Sequence, residues 1–189
     1  MTDSAETDSP ILAAGGIVLR GSFRPHVAIV RLRRDKAWVL PKGKLYPSER
    51  ALTAAKREVV EEGYEVSVHE FLGSMSYPVA GRIKIVQFWH MQAVGGPVRE
   101  PAYEIKTVKW LPLKLAIKTL TRVHERIFLA HVGPTAVKSA EQALRHKLAK
   151  TTVRNRNGGA SRRAPRYTNR KFAWAQRVGA KLGEGQPRE

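Results

Sequence analysis

The sequence predicts an α/β (α+β) layered domain, and three observations carry that expectation. Short β-branched runs are separated by clusters of Gly, Pro, Ser and Arg, as strands and turns are. One stretch, residues 49–62, lacks Gly and Pro and is rich in Ala, Leu, Glu and Arg, which favours a helix. The order is strands, one helix, more strands and then helices, the pattern of a mixed sheet covered by helices. The expected organisation is a polar tail over residues 1–10, a domain over 11–132 and a basic C-terminal extension over 133–189.

Taken in order, "ILAAGGIVLRG" and "HVAIVRLRR" flank the turn-like "SFRP" and read as an antiparallel pair. "WVLP" is a further short strand, ended by Pro41. The helix over 49–62 has Ser48 available as its N-cap and Gly63 as its C-terminal stop. "FLGSMSYPV" and "RIKIVQFWHMQAV" form a hairpin around Ala80 and Gly81, in which Phe88 and Trp89 point to opposite faces. "IKTVKWLP" is the last strand, and "LKLAIKTLTRVHERIFLAHV" is helical throughout and closes the domain. After "GPTAV", residues 137–150 suit another helix. "TTVRNRNGGASRRAPRYTNR" has too few large aliphatics to order itself, and Lys171 to Leu182 suits a short amphipathic helix.

The 189 residues contain no cysteine, which excludes disulfides and thiolate metal sites and suits the cytoplasm. The N-terminus lacks the basic and apolar regions of a signal peptide, and no apolar run approaches the ~20 residues that span a bilayer, so no membrane partner is expected. A net charge of +18 implies attraction to polyanions. From Lys138 onward there are 14 Lys and Arg against 3 Asp and Glu, with Tyr167, Phe172 and Trp174 interleaved. That extension reads either as a nonspecific grip on nucleic acid or as a solvated tail.

The chemistry concentrates in the helix. On a wheel of ~100° per residue, Glu58, Glu61 and Glu62 share one arc of ~100°, beside an apolar stripe of Leu52, Ala55 and Val59. Three carboxylates so placed repel one another unless a cation neutralises them, and hard ions such as Mg²⁺ or Mn²⁺ take oxygen ligands. A glutamate-rich helix face alone is ordinarily solvated surface. The longer spacing sets this one apart: Gly43, then Glu49, then Arg57 and Glu58, an aliphatic Val59, and the pair Glu61 and Glu62. Six fixed residue types at roughly 6 to 7% usage each coincide about once in ten million starting points.

This pattern resembles the box of the Nudix (MutT-like) hydrolases. The glycine-bearing first strand, the "WVLPKGK" lead-in and the closing "VKWLP" extend the resemblance over about residues 11–132. One departure is visible: the glycine after the paired glutamates comes one place early, as Gly63, followed by Tyr64 and Glu65. The resemblance implies an α/β/α sandwich around a mixed sheet, and hydrolysis of a pyrophosphate bond in a nucleoside diphosphate derivative with Mg²⁺ or Mn²⁺. It implies metal ligation by Glu58, Glu61 and Glu62, completed by the backbone carbonyl of Lys42. Arg57 would orient a carboxylate, Glu49 would hold Arg57 or its loop, and Gly43 would let the backbone pass close to the metal. The general base is either Glu61 or, as in members that use a glutamate outside the box, Glu104.

"LPKGK" resembles the branch that handles dinucleoside polyphosphates and diphosphoinositol polyphosphates, so Lys42 and Lys44, with Arg33, Arg34 and Lys36, are expected to contact phosphates. Trp38, Tyr46, Tyr77 and Tyr103 are available to stack on a base or to pack in the core. The lone histidines, His90 among them, show no partners at metal-ligand spacing and read as ordinary. Nor is there an Arg-His-Gly motif, so the histidine phosphatase domain some Nudix proteins carry is not expected. The first functional reading is hydrolysis of a dinucleoside polyphosphate such as diadenosine tetraphosphate. The others are removal of pyrophosphate from RNA 5′ ends, with the tail as the RNA grip, and a non-catalytic nucleic-acid-binding module on the same fold. Oligomeric state is left open.

Overall fold

The structure, a computed structural model, describes residues 9–157 apart from Ser22 and Arg99. The disorder expected beyond Asn157 and the helix expected from Lys171 to Leu182 lie outside the described residues. The chain separates into one compact unit over residues 1–151 and a second over 152–189, and the packing described here is that of the first.

The elements run β1 (Ile11–Arg20), β2 (His26–Leu32), β3 (Trp38–Val39), β4 (Lys42–Lys44), α1 (Ala51–Glu61), β5 (Val66–Val79), β6 (Arg82–Ala93), β7 (Ile105–Pro112), α2 (Leu113–Thr119) and α3 (Val123–Asn157). Seven strands form one mixed sheet in the order β3-β2-β1-β6-β5, with β4 paired to β1 and β7 to β2. β1 is central because residues 13–19 are buried on both faces, the continuous apolar run of a strand covered from two sides. Ala14 and Val18 pack with Ala54, Ala55 and Val59 of α1. Ala13, Ile17 and Leu19 pack on the other face with Ala116, Leu129, Val132 and Ala136 of α2 and α3.

β1 and β2 do form an antiparallel pair, but it is short, with Leu19 opposite Val27 and Arg20 opposite His26. The main partner of β1 is β6, in parallel, with Gly15 opposite Phe88. The β5–β6 hairpin turns at Ala80 and Gly81, whose φ values of 48° and 77° suit a tight hairpin turn. Phe88 is buried, whereas Trp89 faces the other side of the sheet against Phe71.

After β7 the helix boundaries differ from expectation in two places. The stretch 113–132 is broken after Thr119, because the chain turns to meet β3: the Thr121 amide donates to the Trp38 carbonyl at 2.9 Å, and the Trp38 amide donates to Thr121 Oγ1 at 3.0 Å. Conversely, Gly133 and Pro134 do not end α3, which continues through residues 137–150 and on to Asn157, including the "TTVRNRN" expected to be unstructured. The buried stripe Leu129, Val132, Ala136 and Ala140 holds the helix to the sheet across the proline, so packing outweighs the lost backbone hydrogen bond. No helix among the described residues is long and apolar enough to cross a membrane.

Candidate active site

α1 begins later than its sequence suggests. Ser48 has φ 60° and makes no cap; the N-cap residue is Arg50, without a side-chain hydrogen bond. The preceding turn is closed by Glu49, whose Oε2 accepts the Tyr46 amide at 3.0 Å. At the other end, Gly63 at φ 96° donates its amide to the Val60 carbonyl and stops the helix, as expected. Ala54, Ala55 and Val59 seat α1 on the sheet, whereas Leu52 is 41% exposed and lies off the buried stripe.

That seating turns Arg57 toward its acids. Its Nε and Nη2 grip Glu49 at 3.0 and 2.9 Å, and Nη1 donates to Glu58 Oε1 at 2.7 Å and to Glu61 Oε1 at 3.2 Å. Nη2 also donates to the Lys44 carbonyl at 3.0 Å, and the guanidinium lies 4.0 Å from the Tyr46 ring centre. One planar fork thus fixes the loop before the helix and two carboxylates on it. Glu49 drives the arginine's affinity for its proton upward, and Arg57 in turn holds Glu49 below the usual carboxylate range.

Glu58 rises into space that only glycine leaves: a Cβ on Gly43 would collide with the Glu58 carboxylate. Glu58, Glu61, Glu62 and Glu104 line one cleft of about 60 Å³, with Lys42 at its wall. Glu104 comes from a different element, and hydrogen bonds hold it there. The Ala102 amide donates to the Glu61 carbonyl at 2.8 Å, the Arg33 amide to the Glu104 carbonyl at 2.9 Å, and Arg33 Nε to the Tyr103 carbonyl at 2.6 Å. Burial raises the Glu58 carboxyl, with Arg57 opposing, and burial followed by the nearby Glu58 charge raises Glu62 well above its ordinary value. Glu62 is only 4% exposed. A set of oxygen donors, one of them a buried acid reluctant to ionise beside its neighbours, is what a hard divalent ion would relieve, and the residues fit Mg²⁺ or Mn²⁺.

The lysines part company. Lys44 is exposed, but the Lys42 ammonium is buried and ion-paired with Glu125 Oε1 of α3 at 2.7 Å, so its side chain is turned into the protein rather than toward a substrate's phosphates. Only its backbone carbonyl stays a candidate for the metal. Glu125 Oε2 also accepts the Leu40 amide at 2.6 Å, tying the strand before Gly43 to α3. Nothing in the local pattern around Glu125 points to this role. Lys84 also went unread, although strand alternation puts it on the face of Val86, Phe88 and His90 on β6. Burial, together with repulsion from Lys42, Arg122 and Lys44, lowers the Lys84 ammonium to about 8.

Arg33 and Arg34 line an adjacent cleft of about 640 Å³ with Leu32, Tyr103 and Glu104, so Glu104 borders both spaces. Of the aromatics, Tyr103 is 85% exposed, with the Arg33 guanidinium 5.2 Å from its ring centre. Tyr46 is exposed over Arg57, Trp38 packs against the core, and Tyr77 is buried and stacked on His124 at 3.9 Å.

Residues 10–131 match the family model of the NUDIX domain. The chain belongs to the Nudix family. This Nudix chain is 29% identical over 174 residues to the 8-oxo-(d)GTP phosphatase of Mycolicibacterium smegmatis, a match that covers 86% of the chain and 51% of that protein. It is 34% identical over 126 residues to the putative mutator protein MutT4 of Mycobacterium tuberculosis, covering 60% of the chain and 51% of that protein. The chain therefore spans about half the length of the curated relatives it matches. Its fold is shared with the Ap4A hydrolase of C. elegans in a binary complex, at TM-score 0.59, 24% identity, and coverage of 70% and 98% of the two chains. It is shared likewise with a MutT protein from Methanosarcina mazei Go1, at TM-score 0.59, 19% identity, and coverage of 68% and 96%.

Proposed function

We propose that this Nudix chain is a pyrophosphohydrolase that cleaves a pyrophosphate bond in a nucleoside polyphosphate, a dinucleoside polyphosphate such as diadenosine tetraphosphate before others. The observation that carries the reading is the meeting of four carboxylates, Glu58, Glu61, Glu62 and Glu104, in one cleft that opens beside Arg33 and Arg34. A pure binder of polyanions gains nothing from such a cluster. Phosphoryl chemistry needs it, because the protein must position a strongly charged diphosphate and an attacking water.

Glu58, Glu61 and Glu62, with the Lys42 carbonyl, would hold Mg²⁺ or Mn²⁺. An ion of that kind supplies charge neutralisation to the diphosphate and acidity to water. The chain's own residues divide the remaining work. Arg57 fixes the orientation of Glu58 and Glu61. Glu104 takes the proton of the attacking water, with Glu61 as the alternative base. Lys44, Lys84, Arg33 and Arg34 hold phosphates beyond the cleaved bond, and the exposed Tyr103 ring offers a face to a base.

A second reading, an oxidised guanine nucleoside triphosphate, is favoured by the M. smegmatis relative named 8-oxo-(d)GTP phosphatase, which aligns over 86% of the chain. The deciding experiment is turnover with and without Mg²⁺ on diadenosine tetraphosphate, 8-oxo-dGTP, plain nucleoside triphosphates, 5′-triphosphorylated RNA and diphosphoinositol compounds. The proposal expects Mg²⁺-dependent turnover with the highest kcat/KM on the dinucleoside. A higher value on 8-oxo-dGTP selects the second reading, one on RNA selects 5′-end pyrophosphate removal, and metal-independent or absent turnover overturns all three.

A further inference from the structure

Away from the acidic cleft, on the α3 side of the sheet, three side chains with metal-binding atoms converge. His69 and Glu70 are consecutive on β5 and would point to opposite faces of a regular strand. Here the register shifts between Val68 and Phe71, which pair with Met91 and Trp89, so two residues of β5 stand opposite the single His90 of β6. That is the arrangement of a β-bulge, a device that re-aims side chains. Consequently His69, Glu70 and His90 present ligand atoms that all lie within 4.8 Å of one another. This corrects the expectation that the histidines have no such partners.

The geometry suits an ion. His90 Nδ1 lies 3.2 Å from Glu70 Oε1, close to the ~3.4 Å that separates two ligand atoms each ~2.1 Å from a tetrahedral centre. The His69 ring stacks on that of His90, with centroids 4.8 Å apart at 24°, and its side chain is exposed, so a change of rotamer can bring its ligand atom nearer to the other two. His90 is 2% exposed, so its ring is held with Nδ1 toward Glu70; its Nε2, on the other side of the ring, finds no hydrogen-bond partner among the described residues and is not the atom that would bind the ion. A cleft of about 110 Å³ lies beside the cluster, bordered by Ser67, Gln92 and Ser139 as well as the two histidines but not by Glu70, and has room for water next to the ligands. The supporting contacts a metal site needs around its ligands are in place: Ser139 of α3 hydrogen-bonds Glu70, and Ser67 Oγ lies 3.3 Å from His69 Nε2.

We propose that His69, Glu70 and His90 form a second metal site, for a divalent transition ion of the zinc class, that fastens the β5 bulge to β6 beneath α3. Two imidazoles and one carboxylate favour Zn²⁺, Co²⁺ or Ni²⁺ over Mg²⁺, the reverse of the all-oxygen set on α1. The two sites would therefore sort metals by donor chemistry. The proposal stands whether or not the acidic cleft is catalytic.

The test is titration of the full chain with Co²⁺, followed by its visible absorption, then competition with Zn²⁺ and with Mg²⁺. Three variants are compared: His69→Ala and Glu70→Gln, both at exposed side chains, and Glu62→Gln in the other cleft. The expected result is one equivalent of Co²⁺ displaced by Zn²⁺ and not by Mg²⁺, with its Kd weakened at least 10- to 100-fold by His69→Ala and by Glu70→Gln and unchanged by Glu62→Gln. Absence of that equivalent in the wild type overturns the proposal. So does equal affinity in His69→Ala and Glu70→Gln, or loss in Glu62→Gln, which would place the ion among the α1 glutamates.

Discussion

Removing a carboxylate from water and setting it beside two others makes it hold its proton, and Glu62 is in that position. Its pKa is raised above the ordinary 4.5, first by burial and then by Glu58. The protonated acid therefore favours the metal-free fold fully below pH 4.5, and this contribution is lost as pH rises through the raised value. In the absence of divalent ions, the melting temperature of the wild type should fall over that window, and Glu62→Gln should flatten the fall. An equal slope in the variant would contradict the assignment. Arg57 acts on the same acids through geometry. Arg57→Lys keeps a charge but loses the fork, and the expected outcome is a kcat lower by about 10- to 100-fold with little change in melting temperature. Most of this site was legible in the sequence because its residues lie on one helix and one short loop, where spacing fixes direction. Lys84, Glu125 and the histidine cluster were not so easily read. Lys84 depends on which face of β6 is covered, Glu125 on a contact 83 positions away from Lys42, and the histidines on a bulge that periodicity does not reveal.

At the scale of elements, α3 reaches into the site through Glu125. The Lys42–Glu125 pair has side chains 4% and 0% exposed, and Glu125 also takes the Leu40 amide, so it locks the strand that leads into Gly43. Breaking a buried pair from one side leaves an uncompensated charge. Glu125→Ala should cost about 3 to 5 kcal/mol in urea unfolding, and the double replacement of Lys42 and Glu125 by Met and Leu markedly less. Costs that simply add in the double variant would show that the two side chains do not interact. Most strand and helix identities followed from local pattern, including the hairpin at Ala80 and Gly81, but not the short β4, whose existence depends on pairing with β1, nor the break between α2 and α3. Connectivity did not: β1 and β2 flank a short turn, yet β1 spends most of its length beside β6, because only a central position buries both faces of "AAGGIVL". The continuity of α3 past Pro134 is likewise a tertiary effect, set by the buried stripe from Leu129 to Ala140.

For the whole molecule the governing quantity is charge. At +18, with a basic excess from Lys138 onward, the chain should bind single-stranded RNA at low salt, with an affinity that falls linearly in log–log terms as salt rises, while kcat/KM on a nucleotide with few phosphates changes far less. Matching slopes would mean that the same cationic surface serves both. Against that excess the acidic cleft gathers negative charge that a divalent cation would neutralise. The most direct measurement is calorimetry of Mg²⁺ binding, with a non-hydrolysable nucleotide analogue present, in two buffers of different ionisation heat. The predicted result is saturable binding accompanied by proton release, both strongly reduced in Glu62→Gln. Binding that is absent, or undiminished in that variant, would contradict it.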